Sequence, residues 1–292
     1  MAFAREVWNA QAYLAKQLYA GNVLPTLKYW NPEMENNANW TIPTIGALTA
    51  EVNTYGSSSS VTATDAGALN SYKELTTHND IFKYFTLTQD EIDTTNINVV
   101  NSYIEQANKA IFRKLEREVL LEMATGSASG NRIEMASGNQ ITLVNIQTMK
   151  QNLLDNGADP TGEFYLAVDP EYLMNLQNVV VNSNKIFLDR NYLDQKALES
   201  GVVGMIEGFK VVMCHTLPTL SDDGSAYDAS GEKGLLYYVP ESMAVGMSST
   251  PTLKTDEVLT TVPVVNSVLM HYYYGKVVVD TSLCGCIREY SA

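Results

Sequence analysis

Cys284 and Cys286, separated by one glycine, have the spacing in this chain that most invites a chemical reading. A structural zinc site needs a second such pair, and the only other cysteine, Cys214, stands alone. A disulfide between the two would be strained. If the segment is a strand, both side chains point to one face. Buried, inert thiols are therefore expected, in a reducing cytoplasm. The histidines, His78, His215 and His271, lack a second histidine at metal-ligand spacing, and no Gly-x-Ser-x-Gly elbow supplies a nucleophile. Asp222, Asp223 and Asp228 lie in the acidic loop "SDDGSAYDASGEKG" (221–234), but without the spacing and distal Glu of a calcium loop, so a solvated loop is expected. Gly201, Gly204 and Gly208 in "GVVGMIEGFKVVMCHTLP" (201–218) do not cradle phosphate. A Walker loop places Lys and then Ser or Thr after its last glycine, whereas Phe209 follows here and opens a strand. The reading is a glycine turn into a strand, with no catalytic residue, metal or cofactor, and no enzyme.

The elements around these residues describe a large folded chain. It has 292 residues, 45% hydrophobic and 18% charged, enough to bury a substantial core. Tyr (17) outnumbers Phe (7), which suits contact surfaces where a ring is buried and its hydroxyl bonded. The net charge of −14 argues against coating DNA through its phosphates and against an anionic membrane. No signal peptide and no membrane span is visible, so no membrane partner is expected. The first 20 residues have helical spacing and stop at "GNVLP". From Trp40 a polar, strand-rich stretch with the tip "TYGSSSS" (54–60) reads as one long hairpin, and "FKYFTLT" (82–88) as a strand. Ile104, Ala107, Ile111, Leu115 and Val119 form one apolar stripe of a helix ending near Gly126. Residues 98–124 alone would span about 40 Å. A helix ending at Asn156 and Gly157 follows, then the buried strand and short helix of "GEFYLAVDPEYLMNLQ" (162–177), the strand at 209–213 and the strand in "LLYYVP" (235–240). "SVLMHYYYGKVVVDTSLCGCI" (267–287) reads as two long strands joined near Gly275, returning to the long helix.

The order of these parts resembles the major capsid proteins of tailed double-stranded-DNA bacteriophages, whose fold is shared with herpesvirus capsid floors. "NWTIPTIGALTAEV" (39–52) is similar to the strand entering the family's extended loop, and "YKELTTHNDIFKYFTLTQDEID" (72–93) to the strand that returns. "YIEQANKAIFRKLEREVLLEMATG" (103–126) is similar to its spine helix, and "NLLDNGADPTGEFYLAVDPEYLMNL" (152–176) to its helix, turn and strand. The opening glycine stretch matches a Gly-x-x-Gly, Gly-Phe-x-Val, Leu-Pro pattern of the axial domain. The resemblance implies an α+β fold: an N-terminal arm (1–40), an extended β-hairpin loop with its strands (41–88), a peripheral domain with the spine helix (89–138), an axial domain (139–250) and return strands to the peripheral domain (251–292). It implies self-assembly as hexamers and pentamers into an icosahedral shell in the virion, built in the host cytoplasm, with a portal protein and packaged DNA held by non-specific proximity. It leaves room for a decoration protein. No long segment precedes Trp8, so a separate scaffolding protein is expected. Lys73 has no identifiable partner for a covalent cross-link. The alternative reading is a tail-tube or other virion structural protein.

Lys109, Arg113 and Arg117 recur every four residues and share one face of the long helix. Like charges at this spacing disfavour a helix by a few tenths of a kcal/mol per pair, so something must offset them. Glu105 and Glu116 offer a solvated, partly self-neutralised face. The sharper reading is an intersubunit contact in which the stripe meets Glu51 or Asp65 of a neighbour's extended loop, or faces packaged DNA; the acidic balance favours a carboxylate. Deleting residues 57–64 from the loop tip is then expected to lower shell yield in sedimentation, and unchanged assembly would remove the tip from the intersubunit contact.

Overall fold

The computed structural model describes residues 23–34, 39–45, 70–76, 79–88, 97–135, 141–177, 180–181, 184–185, 202–214, 217–221, 226–228, 231–248, 252–258 and 265–288. The strands β1 (Tyr29–Met34), β2 (Asn39–Ile45), β3 (Asn70–Thr76) and β4 (Asn79–Thr88) precede the long helix α1 (Ile97–Gly126). Then come β5 (Arg132–Glu134), α2 (Leu143–Asp155), β6 (Phe164–Val168), α3 (Pro170–Gln177) and the short pair β7 (Val180–Val181) and β8 (Asn184–Lys185). The strands β9 (Val202–Ile206), β10 (Phe209–Met213), β11 (Thr219–Leu220), β12 (Glu232–Tyr238), β13 (Met243–Ser248), β14 (Thr252–Val258), β15 (Val265–Val278) and β16 (Cys284–Arg288) complete the order. The helix that lies over 152–155 starts at a capping box, in which Thr142 Oγ1 accepts from the Asn145 amide and Asn145 Oδ1 from the Thr142 amide. It ends where Gly157 takes φ +89°.

Two sheets carry the fold. In the first, β15 is central: β4 pairs along one edge from Thr88 to Asn79, while β14 and then β13 follow each other along the other. β1 adds to β13 in parallel. The second sheet runs β5-β16-β12-β6-β10-β9, with β11 paired to β12. The tight link between β9 and β10 is the glycine turn of the sequence pattern. Glu207 and Gly208 both have positive φ (49° and 88°), which reverses the chain into the antiparallel pairing Phe209↔Ile206. Gly208 shapes backbone there; Gly201 lies outside the described residues.

The expected joint at Gly275 is a correction. β15 runs unbroken through Gly275 to Val278, and the reversal comes at 279–283. Glycine is needed because a Cβ at that position would lie 2.4 Å from the Thr76 carbonyl oxygen of β3. The residue marks a close approach between strands rather than a turn. β16 then pairs with β12 and β5 in the second sheet, whereas β13 lies in the first, so the sheets interleave the segments expected from the sequence.

α1 packs on both sheets, against β4 and β15 of one and β12 and β16 of the other. Its stripe of Ile104, Ala107, Ile111, Leu115 and Val119 is buried. Polar groups that go in with it are satisfied: Tyr272 Oη donates to Asn108 Oδ1 at 3.0 Å, and the Val23 amide donates to the buried Glu116 carboxylate at 2.9 Å. Tyr237 Oη donates to the Asn131 carbonyl at 2.7 Å, and Tyr238 shares a 2.7 Å bond with Thr26 Oγ1. Burial raises these three phenols well above their ordinary range. Part of the tyrosine excess therefore serves the core and not a contact surface.

At mid-helix, Lys276 of β15 bridges Glu118 and Glu122, both at 3.3 Å, and Lys114 pairs with Glu118 at 2.8 Å. Burial alone would raise the Glu118 carboxyl, but hydrogen bonds from Lys114 and Lys276 and their charges outweigh it and hold it below the ordinary carboxylate range. A carboxyl with a depressed folded pKa stabilises the fold above its unfolded value, and that contribution disappears as pH falls through the folded one. Melting temperature is expected to fall on acidification below about pH 4.5, the ordinary carboxyl value. Lys276→Met should flatten that part of the profile; identical acid profiles would show that the bridge carries no pH-dependent stability.

Candidate assembly surfaces

The hairpin expected from the sequence is present at its root. β2 and β3 pair antiparallel from Asn39↔Thr76 to Ile45↔Asn70. The return segment divides: β3 closes the hairpin, while β4 leaves it for β15. Within the described root only Ile42 and Leu75 are buried, whereas Pro43, Ser71, Lys73 and Glu74 are exposed and Tyr72 is 71% exposed. The hairpin therefore leaves the body of the chain as an arm. The tip, with Glu51 and Asp65, lies outside the described residues.

The basic stripe lies on α1 as expected, with Lys109 half-buried and Arg113 exposed; neither is without a partner. Arg117 meets the chain's own acidic loop. Its Nη2 donates to Tyr227 Oη at 3.2 Å, and its guanidinium carbon stands 5.3 Å from the Tyr227 ring centroid. Tyr227 is held in place by its bridge to Leu220 and by the adjacent bond from the Asp228 amide to the Thr219 carbonyl. Glu116 does not neutralise the stripe from solvent, because its carboxylate is buried against the Val23 amide. Apart from Arg117, the chemistry-bearing residues stay apart. Cys214, Cys284 and Cys286 are free and buried; burial raises the Cys284 thiol to about 12 and the Cys286 thiol to about 11, against nucleophilic use. His271 is buried in β15 with Nδ1 3.1 Å from Asp80 Oδ1. His78, His215, Asp222 and Asp223 lie outside the described residues. Among the described residues no cluster of three His, Cys, Asp or Glu could hold a metal, and no helix is long and apolar enough to cross a membrane.

One surface was missed in the sequence. Phe82 (63% exposed) and Tyr84 (54%) stand on the face of β4 away from α1, opposite His271 and Leu269, whereas Phe85 turns inward and stacks on Tyr103 at 6.0 Å. Alternation in "FKYFTLT" put Phe82 and Tyr84 on one face, but which face α1 covers is decided by distant residues. The Arg117–Tyr227 contact is expected to couple weakly. A double-mutant cycle with Arg117→Ala and Tyr227→Ala in urea unfolding should give about 0.5–1 kcal/mol, the value of an exposed cation–π pair. Strict additivity would mean that the two side chains are mere neighbours.

No family model matches the sequence, and no curated protein matches it. Solved structures do. The chain is similar to a structure from Mycobacterium phage Adephagia, with TM-score 0.62 and 15% identity over 94% of this chain and 91% of that one. It is also similar to the capsid of Ralstonia phage GP4, with TM-score 0.59 and 11% identity over 90% and 86%. A third match is the capsid of the cyanophage P-SCSP1u, with TM-score 0.56 and 13% identity over 89% and 86%. The chain shares the mixed helix-and-sheet fold of these three phage structures, two of them described as capsids, over about nine-tenths of its length.

Proposed function

We propose that this chain is the major capsid protein of a tailed double-stranded-DNA phage, many copies of which assemble into the icosahedral shell around the genome. The observation that carries the reading is the match over about nine-tenths of the chain to structures described as capsids, together with the paired root of a long hairpin. In this reading the chain is a structural protein of the virion and not an enzyme. Its work is done by repeated contacts, each of ordinary size, about 1,600 Å² in total. Closure of the shell makes weak contacts collectively strong. The stripe of Lys109, Arg113 and Arg117 then faces carboxylates of a neighbour such as Glu51 or Asp65, while the portal, a separate scaffolding protein, a decoration protein and the packaged DNA are the remaining partners. Assembly in the host cytoplasm belongs to the same proposal. A tail tube is supported less, because tube subunits are usually smaller β-sandwiches without a 30-residue spine helix.

Expression of the full chain, alone and with candidate scaffolding proteins of its phage, followed by sedimentation and negative-stain microscopy, tests the proposal. Closed, hollow particles are expected. Open tubes, stacked rings or only monomers under every condition would overturn it. Within particles, Arg113→Glu is expected to impair assembly more at low salt than at high, since screening shortens the reach of the new repulsion.

A further inference from the structure

The arm has one buried attachment of its own. Leu75, 1% exposed, stands over Gly246 of β13 and Gly275 of β15, which face each other across the two strands. A Cβ on Gly246 would lie 3.1 Å from Leu75 Cδ2 and 2.0 Å from Met34 Sδ. One on Gly275 would lie 3.2 Å from the same Leu75 methyl and 2.4 Å from the Thr76 carbonyl oxygen. The paired glycines therefore form a socket floored by bare backbone, with Met34 as a wall. Ile42, Ala244 and Val279 complete the buried cluster, which is distinct from the main core. Trp40 of β2 meets Tyr29 of β1 edge to face, with ring centroids 6.1 Å apart. Trp40, Thr44 and Thr76 are half-buried, whereas Asn39, Thr41, Pro43, Ser71, Tyr72, Lys73 and Glu74 are exposed.

We infer that Leu75 is the positioning residue of the arm: seated in the Gly246–Gly275 socket, it fixes the angle at which β2 and β3 leave the sheet, and through that angle the curvature of the shell. The link to curvature rests on the capsid reading; the fixed angle does not. A lever pinned at its root converts a small change there into a large displacement at its tip. A leucine has few rotamers and the socket leaves it little room, so the root is fixed by shape and not by charge. It should therefore be insensitive to salt, unlike a contact made by the basic stripe.

The test places spin labels on the full chain at Ser71→Cys and Lys83→Cys, both exposed positions, while the native thiols are buried. In the otherwise unchanged chain a single narrow distance distribution is expected at low and high salt. Leu75→Ala empties the socket and should abolish the single peak. Leu75→Met, which refills it with similar volume, should restore the peak. Gly275→Ala should shift it, because the new methyl meets β3 backbone. Circular dichroism and thermal melting of each variant show whether the sheets stay folded, and Leu75→Met keeps the comparison decisive if Leu75→Ala does not fold. Equal distributions in Leu75→Ala and the unchanged chain would overturn the assignment of the angle. In shells, Leu75→Ala should lose the uniform diameter and Leu75→Met should keep it. Uniform, unchanged shells from Leu75→Ala would overturn the link to curvature, whereas failure of the unchanged chain to form any shell would count against the capsid reading and leave the spin-label result standing.

Discussion

The packing of α1 on both sheets is the constraint on which the rest depends. A helix of 30 residues presents one apolar stripe, and leaving it in water would cost roughly 1.5–3 kcal/mol for each large side chain. Neither sheet receives the whole stripe. Phe112 and Asn108 meet Tyr272 of β15, while farther along the helix Met123 offers its carbonyl to Cys284 Sγ of β16 at 3.7 Å. Strands far apart in the chain, β4, β12, β15 and β16, therefore meet on one helix. Lys276 and Tyr272 then fix its register on β15, the first through Glu118 and Glu122, the second through Asn108.

Local signals carried far into this fold. The apolar stripe of α1, the stop at Asn156–Gly157, the Asp-Pro junction between β6 and α3 and the Gly208 turn are all decided by residues close in sequence, and each was legible there. Local sequence misleads where distant backbone decides. Gly275 looks like a turn to any local rule, and only the approach of Thr76 from 199 positions earlier explains it. The pairing of β16 with β12 and β5 likewise has no signature within "LCGCI". Of the stripe, the spacing was legible but its partner was not: Tyr227 reaches Arg117 by a fold of the acidic loop that no periodicity encodes. Phe82 and Tyr84 alternate visibly, yet their exposure follows from where the helix lies.

The chain's three thiols are buried, burial raises those of Cys284 and Cys286, and its one described histidine is engaged with a carboxylate inside a sheet. What stays outside is a hairpin, an aromatic pair on β4 and a charged face of α1. Such features suit association of many copies, because exposed aromatic rings gain from being covered while charged faces set register. In the capsid reading proposed above, a net charge of −14 also suits a wall past which DNA can move, since phosphates find few cations to hold them.

Electron cryo-microscopy of the assembled particle distinguishes the proposed shell from other assemblies. A closed shell with icosahedral symmetry is expected, in which each chain fits with α1 and both sheets unchanged and the β2–β3 arm reaches beyond its own subunit. A helical tube or stacked rings built from the same chain, or a particle in which each arm folds back on its own subunit, would contradict the proposal.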